Sequence, residues 1–230
     1  RSKQGIVKKT RLTEYSRPRA NGVNAIVIRD EDRVIAVNLT NGTDEIVVAN
    51  RNGRAVRFNE DQVRVMGRVS TGVQSIILDA DDPEDEVIGM AVVNDPENEN
   101  ILVMSDKGVG KYTSVEAYRK TSRHAKGVKA MNLVDESKLI TLQVGKEEDD
   151  LMIINKSGIT IRMHVDVIKE TKNRATQGTK VIELKKRNDS ISHVCVVPRS
   201  EDEDETQVEP AQENVISRSE ERRVGKECRS

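Results

Sequence analysis

Apolar and polar residues alternate in short segments along this chain, and the segments recur with a period of about 50 residues. Such alternation is typical of β-strands, because every second side chain of a strand faces the same side. One β-rich run closes each of four units, at 34–39, 87–93, 139–144 and 191–197. A further run joins successive units, at 46–49, 101–104 and 151–154. The pattern predicts about four strands per unit, the size of one blade in a radially repeated all-β fold.

Two glycines mark each unit and set the register of the four copies. The first glycines are 48, 55 and 50 residues apart, and each second glycine follows its partner after 17 to 20 residues. The four pairs are Gly5 and Gly22, Gly53 and Gly72, Gly108 and Gly127, and Gly158 and Gly178. We expect these glycines to be structural, with positive φ or a close backbone approach at turns. A generic β-sandwich would not require four copies in register.

Apolar residues at strand spacing follow each second glycine by four and six positions. They are Ile26 and Ile28, Ile76 and Leu78, Met131 and Leu133, and Ile182 and Leu184. Because the spacing is two, both residues of a pair should face the same side of a strand.

The composition excludes several classes of protein. The aromatic residues are one phenylalanine and three tyrosines: Phe58, Tyr15, Tyr112 and Tyr118. The core must therefore be built from Val, Ile and Leu, which suits strands. Cys195 and Cys228 form neither a disulfide framework nor a metal site. No apolar run predicts a membrane span and no signal peptide is visible, so we expect a cytoplasmic location. No nucleophile–base set, metal spacing or phosphate loop is present, so we predict no catalytic residue, metal or cofactor.

The net charge of −1 conceals a segregation of charge within the units. The glycine-to-glycine halves total +6, +3, +6 and +4 over residues 1–23, 50–72, 107–129 and 156–180. The halves that follow total −3, −10, −4 and +2 over residues 24–49, 73–106, 130–155 and 181–199. If the units stack radially, the basic halves form a positive band along one edge. A single charge run is more often a solvated face, but recurrence in register favours the band.

A positive band indicates a polyanionic partner. Lysine and arginine without interleaved aromatic residues neutralise phosphates but do not stack on bases. The pattern therefore predicts contacts to the backbone of duplex DNA with little sequence specificity, rather than binding of single strands or RNA loops.

Four segments carry a resemblance to a known family: KQGIVKKTRLTEYSRPRANGVNAI, GRAVRFNEDQVRVMGRVSTGVQSIIL, KGVGKYTSVEAYRKTSRHAKGVKAMNL and SGITIRMHVDVIKETKNRATQGTKVIEL. Each resembles a blade of the DNA gyrase A C-terminal domain, from a type II topoisomerase, and the similarity covers residues 5–197. The resemblance implies a β-pinwheel, a propeller-like disc of four-stranded blades with strand exchange, which would account for the run that leads into each next unit.

The resemblance also implies a function. Double-stranded DNA would wrap around the basic perimeter and contribute to ATP-dependent negative supercoiling by the gyrase holoenzyme. The protein partners would be the N-terminal region of gyrase A together with gyrase B in an A2B2 assembly. ATP and magnesium would be used elsewhere in that assembly and not by this chain, and the location would be the nucleoid of a bacterial cytoplasm.

The chain departs from the family pattern in three ways. The family domain has six blades, and the four units here resemble its last four. The glutamine–arginine–arginine–glycine–glycine–lysine–glycine box of the first blade is absent, and the nearest stretch, 122–127, is an ordinary connector. The region with the catalytic tyrosine is also absent, so we expect no chemistry of this chain's own. The C-terminal domain of topoisomerase IV and, in a different class, a protein-interaction propeller are the alternatives.

The resemblance places the phosphate contacts at basic positions just after the first glycine and just before the second. They are Lys8, Lys9, Arg17 and Arg19 in the first unit, Arg54, Arg57, Arg64 and Arg68 in the second, Lys111, Arg119, Lys120, Arg123 and Lys126 in the third, and Arg162, Lys169, Lys172 and Arg174 in the fourth. Tyr112 stands where the other units have Lys9, Arg57 and Arg162, which is expected to weaken the band locally.

The predicted organisation is a partial pinwheel over residues 1–198 followed by a tail. The predicted blades are 1–49, 50–105, 106–155 and 156–198, and the first unit lacks a strand before its first glycine, as in a piece of a longer protein. Residues 199–220 are predicted to be a disordered acidic tail, since 200–217 contains seven acidic residues and no basic one. We expect this tail to compete with DNA for the basic band. Residues 221–230 match no repeat and resemble a cloning remnant.

Overall fold

A computed structural model of the chain describes residues 2–184 and 189–199. Within these residues the regular elements are thirteen strands and four 3₁₀ turns. The strands are β1 Ile6–Val7, β2 Glu45–Asn50, β3 Arg54–Asn59, β4 Val73–Gln74, β5 Val87–Val93, β6 Asn100–Ser105, β7 Val109–Ser114, β8 Val128–Lys129, β9 Leu139–Gly145, β10 Asp150–Asn155, β11 Thr160–His164, β12 Thr179–Lys180 and β13 Ile191–Val197. The turns are Leu12–Tyr15, Glu60–Gln62, Val115–Ala117 and Val165–Val167. Most of the predicted tail and all of 221–230 lie outside the described residues.

Three of the four sheets contain a hairpin and a returning strand, and the fourth is the pair β1-β4. The orders are β5-β2-β3-β8, β9-β6-β7-β12 and β13-β10-β11, and all ladders between strands are antiparallel. We name unit 1 residues 2–41, unit 2 residues 44–94, unit 3 residues 99–146 and unit 4 residues 149–198. The short strands β4, β8 and β12 leave their own units and pair with β1, β3 and β7 of the preceding units. This topology confirms the predicted β-pinwheel with strand exchange.

The exchanged segment differs from the one that the sequence predicted. The runs between units, in β2, β6 and β10, pair on both sides with strands of their own sheet, and nearly every residue of β2 and β6 is buried. The short strand after the second glycine is exchanged instead. The predicted blade limits at 49/50, 105/106 and 155/156 fall at these hairpins, so each limit is displaced by one strand.

Unit 1 contradicts the predicted strand at 34–39. Only an isolated bridge between Ser2 and Val34 forms there, and Val37 and Leu39 are 82% and 74% exposed. In the other units the equivalent run pairs with the strand before the first glycine, and no such strand is described in unit 1. Ile28 is likewise exposed, whereas Leu78, Leu133 and Leu184 pack against the core.

The core lies between successive sheets. The returning strands β5 and β9 pack against each other, as do β9 and β13. Three clusters of Val, Ile, Leu, Met and Ala fill the space. Each cluster also contains one buried aromatic ring, from Tyr118, Tyr112 or Phe58. The returning strands therefore mark the inner end of every sheet, and β8 and β12 mark the outer end.

All eight repeat glycines have positive φ. At Gly127 a second constraint applies, because a Cβ there would lie 2.3 Å from the carbonyl oxygen of Ala55 in the preceding unit. Gly22 has nearly the same backbone, with φ of 75° against 72°, but no described atom lies within 4 Å of its Cβ position. The exchange of strands thus requires a close backbone approach in addition to the left-handed turn.

We therefore expect Gly127→Ala to destabilise the protein more than Gly22→Ala. Both substitutions carry the penalty of a left-handed alanine, about 1–2 kcal/mol. Gly127→Ala adds the overlap with Ala55, about 1–3 kcal/mol more. Urea unfolding monitored by circular dichroism measures both free energies of unfolding. Equal losses would show that the close approach contributes nothing.

Candidate nucleic-acid interface

Each unit has one connector, which leads to the second glycine. It follows the hairpin in units 2 to 4 and follows β1 in unit 1. We define the connectors as residues 10–22, 60–72, 115–127 and 165–178, and each begins at or near a 3₁₀ turn. In units 2 and 3 the turn is capped by the side chain of Asn59 or Ser114, which accepts a hydrogen bond from the backbone N–H two residues ahead. Beyond the turn, each later connector runs along the preceding unit.

Backbone hydrogen bonds fix each later connector to its neighbour. The N–H of Thr121 donates to the carbonyl of Arg57 at 2.8 Å, and the N–H of Thr171 donates to that of Tyr112 at 2.7 Å. Met66 makes the same contact with Lys9 at 2.8 Å. Because the returning strands lie at the inner end of each sheet, the connectors lie at the outer edge.

The connectors carry exposed cations at positions that the sequence predicted as phosphate contacts. Seven of the seventeen predicted residues are exposed and make no side-chain hydrogen bond or ion pair with the described part of the chain: Arg17, Arg19, Arg64, Arg119, Lys126, Lys169 and Lys172. We call these seven the edge cations. Arg11 shares their environment and was missed, although its place between Lys9 and Arg17 was a signal.

The prediction is wrong for Arg57, which is buried. Its Nε donates to the carboxylate of Glu45, and its Nη1 donates to the carbonyl oxygens of Val115 at 2.9 Å and Tyr118 at 3.1 Å. Burial alone would raise the pKa of Glu45, but Lys120 and Arg57 hold it below its ordinary value. Arg57 thus joins two units and does not face solvent.

The prediction is also wrong for Lys111, which is fully buried. Its ammonium donates to the carbonyl oxygen of Arg174, with those of Asn173 and Thr176 at 3.5 and 3.4 Å. Burial, with a contribution from the charge of Arg174, lowers the pKa of Lys111 to about 8. Such a group stabilises the connector of unit 4 rather than binding a phosphate.

In units 3 and 4 the side chain at the position equivalent to Arg57 also makes a hydrogen bond within its own unit. In unit 4 Arg162 donates to Asp150 at 2.7 Å. In unit 3 the equivalent residue is Tyr112, whose hydroxyl donates to the carbonyl of Gly145. Burial, opposed by a hydrogen bond from Asn100, raises the pKa of Tyr112 to about 12. Tyr112 therefore does not interrupt a positive band, because the equivalent position in unit 2 also faces inward.

The remaining predicted cations hold neighbouring segments together. Arg123 donates to the carbonyls of Gln62 at 3.0 Å and Gln74 at 2.9 Å, and Arg174 donates to that of Lys129 at 2.6 Å. The others in this group are Lys8, Lys9, Arg54, Arg68 and Lys120. Burial, assisted by the charge of Arg68, lowers the pKa of Lys8.

Acidic side chains concentrate away from the connectors. They occupy the loops next to the returning strands, at 79–86, 95–99 and 147–149. The outer edge is therefore positive while the loops near the inner strands are negative, an arrangement that attracts a polyanion to the edge.

Neither a metal-binding cluster nor a membrane-spanning helix is found among the described residues. No group of three or more His, Cys, Asp or Glu side chains there could hold a metal ion. Within the same ranges, no helix is long and apolar enough to cross a membrane.

Comparison with known proteins gave matches over most of the chain. The family model described as DNA gyrase C-terminal domain, beta-propeller, matches residues 2–41, 44–94, 99–146 and 149–198. The A subunit of DNA gyrase from Staphylococcus aureus strain NCTC 8325 is 33% identical over 217 residues, which are 94% of this chain and 24% of the relative. The corresponding gyrase protein of Ureaplasma parvum is 34% identical over 203 residues, 88% of this chain and 23% of the relative.

Solved structures share the fold. The C-terminal domain of DNA topoisomerase IV superposes with a TM-score of 0.78 and 23% identity, covering 86% of this chain and 60% of that one. The DNA gyrase A C-terminal domain gives a TM-score of 0.72 and 21% identity, covering 85% and 64%. At these identities the likeness shows the fold alone. The chain spans about a quarter of the length of the curated relatives.

Proposed function

The chain belongs to the family of DNA gyrase C-terminal β-propeller domains, and from this premise we propose that it binds the backbone of duplex DNA along the outer edge formed by its four connectors. The observation that supports this most directly is the distribution of the edge cations, which occur on every connector and have no side-chain partner among the described residues.

The chemistry of the edge favours a duplex over a single strand. Phosphates are bound by lysine and arginine, whereas single strands also require aromatic rings on which bases stack. Phe58, Tyr112 and Tyr118 are buried, so Tyr15, which is half-buried on the first connector, is the one aromatic ring near the edge. Contacts of this kind position a duplex without reading its sequence.

We further propose that this chain is the non-catalytic part of a gyrase A protein. It would wrap DNA for ATP-dependent supercoiling by a bacterial holoenzyme that contains the N-terminal region of gyrase A and the gyrase B protein. ATP and magnesium would act elsewhere in that assembly. The gyrase assignment over topoisomerase IV is supported by the relatives at 33% and 34% identity.

A salt titration of duplex binding tests the proposal. If the seven edge cations and Arg11 each contact a phosphate, the slope of log K against log salt should be about −7, since each contact contributes about −0.9. Fluorescence anisotropy with a labelled duplex and a labelled single strand of equal length measures both slopes. A slope near zero, expected for a protein-interaction propeller, or tighter binding of the single strand would contradict the proposal.

A further inference from the structure

An arginine occupies the same position in the connectors of units 2, 3 and 4. It lies four residues before the second glycine of its unit and is half-buried in each case, at Arg68, Arg123 and Arg174. We call these three the joint arginines. Each contacts an exchange segment, which we define as residues 23–28, 73–78 or 128–133, directly after the second glycines of units 1 to 3.

Each joint arginine donates to the equivalent backbone atom of the preceding unit. The donor is Nη1, and the acceptor is the carbonyl oxygen of the second residue after the preceding second glycine. The pairs are Arg68 with Asn24 at 3.5 Å, Arg123 with Gln74 at 2.9 Å and Arg174 with Lys129 at 2.6 Å. The contact is therefore a feature of the repeat and not of a single unit.

A backbone hydrogen bond accompanies the joint arginine at each of the three junctions. The N–H five positions after the second glycine of one unit donates to the carbonyl two positions before the second glycine of the next. The pairs are Val27 with Ser70 at 3.3 Å, Ile77 with Ala125 at 3.0 Å and Asn132 with Thr176 at 3.0 Å. Two bonds thus join each connector to the exchange segment of the preceding unit, in the same register three times.

These joints reach beyond the neighbouring unit. The strand β4 belongs to unit 2 but pairs with β1 of unit 1, and β8 belongs to unit 3 but pairs with β3 of unit 2. Arg123 of unit 3 therefore holds a strand that lies on unit 1, and Arg174 of unit 4 holds one that lies on unit 2. Because β8 is the outer strand of its sheet, such a joint ties successive units together at the outer edge.

The joint at Arg123 also includes the preceding connector. Its Nε donates to the carbonyl oxygen of Gln62 at 3.0 Å, and its backbone N–H donates to Oε1 of the same residue at 2.8 Å. A guanidinium is suited to this role, because its donors are held in a rigid planar fork. One side chain thus fixes two connectors and one exchanged strand relative to each other.

We propose that the joint arginines are positioning residues, which set the curvature of the outer edge and thereby the bend of a duplex bound to it. This role rests on the proposed function, because the edge cations are the groups that would hold the phosphates. Lys126 and Lys172 lie within three residues of Arg123 and Arg174, so a joint that opens displaces them. A bent duplex resists the deformation, and an edge that yields would let it straighten.

Replacing all three joint arginines by methionine, in the full 230-residue chain, tests the proposal. Methionine keeps a long unbranched side chain but has no N–H to donate. Circular dichroism and melting temperature verify that the variant retains the fold. The single variants Arg68→Met, Arg123→Met and Arg174→Met carry the same test if the triple variant does not fold, and each should show a smaller loss of bending.

Energy transfer between dyes at the two ends of a duplex measures the bend at saturating protein. A duplex of about 30 base pairs suits this measurement, because it is far shorter than the persistence length of about 150 base pairs and is nearly straight when free. The wild type should raise the transfer efficiency, and the triple methionine variant should lose at least half of that rise. Its slope of log K against log salt should differ from that of the wild type by less than about 1, since no phosphate contact is removed.

The matched control removes three charges from the same three connectors. The residue directly after a buried core residue is an edge cation in each of them: Arg64 after Val63, Arg119 after Tyr118 and Lys169 after Ile168. Replacing these three by methionine should make the salt slope less negative by about 2.7, because each contact contributes about 0.9. At saturation it should reduce the transfer efficiency less than the joint variant does.

The outcomes separate this inference from the proposed function. A wild type that does not bind the duplex contradicts the proposed function, and the inference with it. A wild type that binds without bending, or a folded joint variant that bends the duplex as the wild type does, overturns the inference alone, even if the melting temperature falls. A salt slope that becomes less negative by about 2.7 in the joint variant would also overturn it, because the arginines would then be phosphate contacts themselves.

Discussion

Replacing Arg119, Lys126, Lys169 and Lys172 together by alanine is expected to weaken duplex binding by about 4000-fold at 0.1 M salt. The slope of log K against log salt should become less negative by about 3.6, because each lost phosphate contact removes about 0.9. Over the tenfold range from 1 M to 0.1 M salt, the same relation gives a loss of about eightfold in affinity per contact. No other single change proposed for this chain should alter its binding as much.

These four residues are suited to the experiment because their removal should leave the fold intact. All four are exposed and make no side-chain hydrogen bond with the described residues. Surface changes of this kind usually alter the free energy of unfolding by less than about 0.5 kcal/mol each. A loss of affinity would therefore report the contact with DNA rather than unfolding.

A second quadruple variant separates the location of the charges from their number. Arg29, Lys107, Lys146 and Lys156 are also exposed, but they lie in loops and hairpin turns away from the connectors. Replacing them by alanine changes the net charge by the same amount, yet should change the salt slope by less than about 1. If both variants lose affinity equally, net charge and not the outer edge governs binding.

The repeat and its glycines were predictable because both leave local signals. A glycine with positive φ and an alternating strand are properties of a few adjacent residues. The pairing of a strand is a property of distant ones. The run 34–39 has the same pattern as β5 but lacks a described neighbour, so alternation alone predicted a strand that does not form.

The candidate interface was predictable as a region but not residue by residue. Arg57 and Arg64 look alike in the sequence, yet Arg57 is buried and Arg64 is exposed. The sequence did contain a signal that Arg57 is paired. An acidic residue, Glu45, precedes Arg57 by 12 residues, just as Asp150 precedes Arg162. Lys111 carries no such signal, since its partners are backbone carbonyls of a connector more than 60 residues away.

A large loss of stability is expected from Arg57→Ala, about 3–5 kcal/mol, because a buried carboxylate loses a partner. Glu45 is 6% exposed, and the carbonyls of Val115 and Tyr118 would lose their donor as well. Lys120 still reaches Glu45, which places the loss toward the lower end of this range. Urea unfolding at neutral pH measures the effect, and Arg119→Ala, expected to change stability by less than about 0.5 kcal/mol, is the control.

Two further measurements identify the pair as the cause of that loss. The pKa of Glu45 lies below its ordinary value in the folded protein, so the stability that it contributes is present above the ordinary value and is lost as pH falls through the lowered one. The cost of Arg57→Ala should therefore shrink at acid pH. The double variant Glu45→Asn with Arg57→Tyr, which copies Asn100 and Tyr112 of unit 3, should recover part of the lost stability. A cost that is independent of pH, together with no recovery, would show that Arg57 acts without Glu45, through its packing and its hydrogen bonds to Val115 and Tyr118.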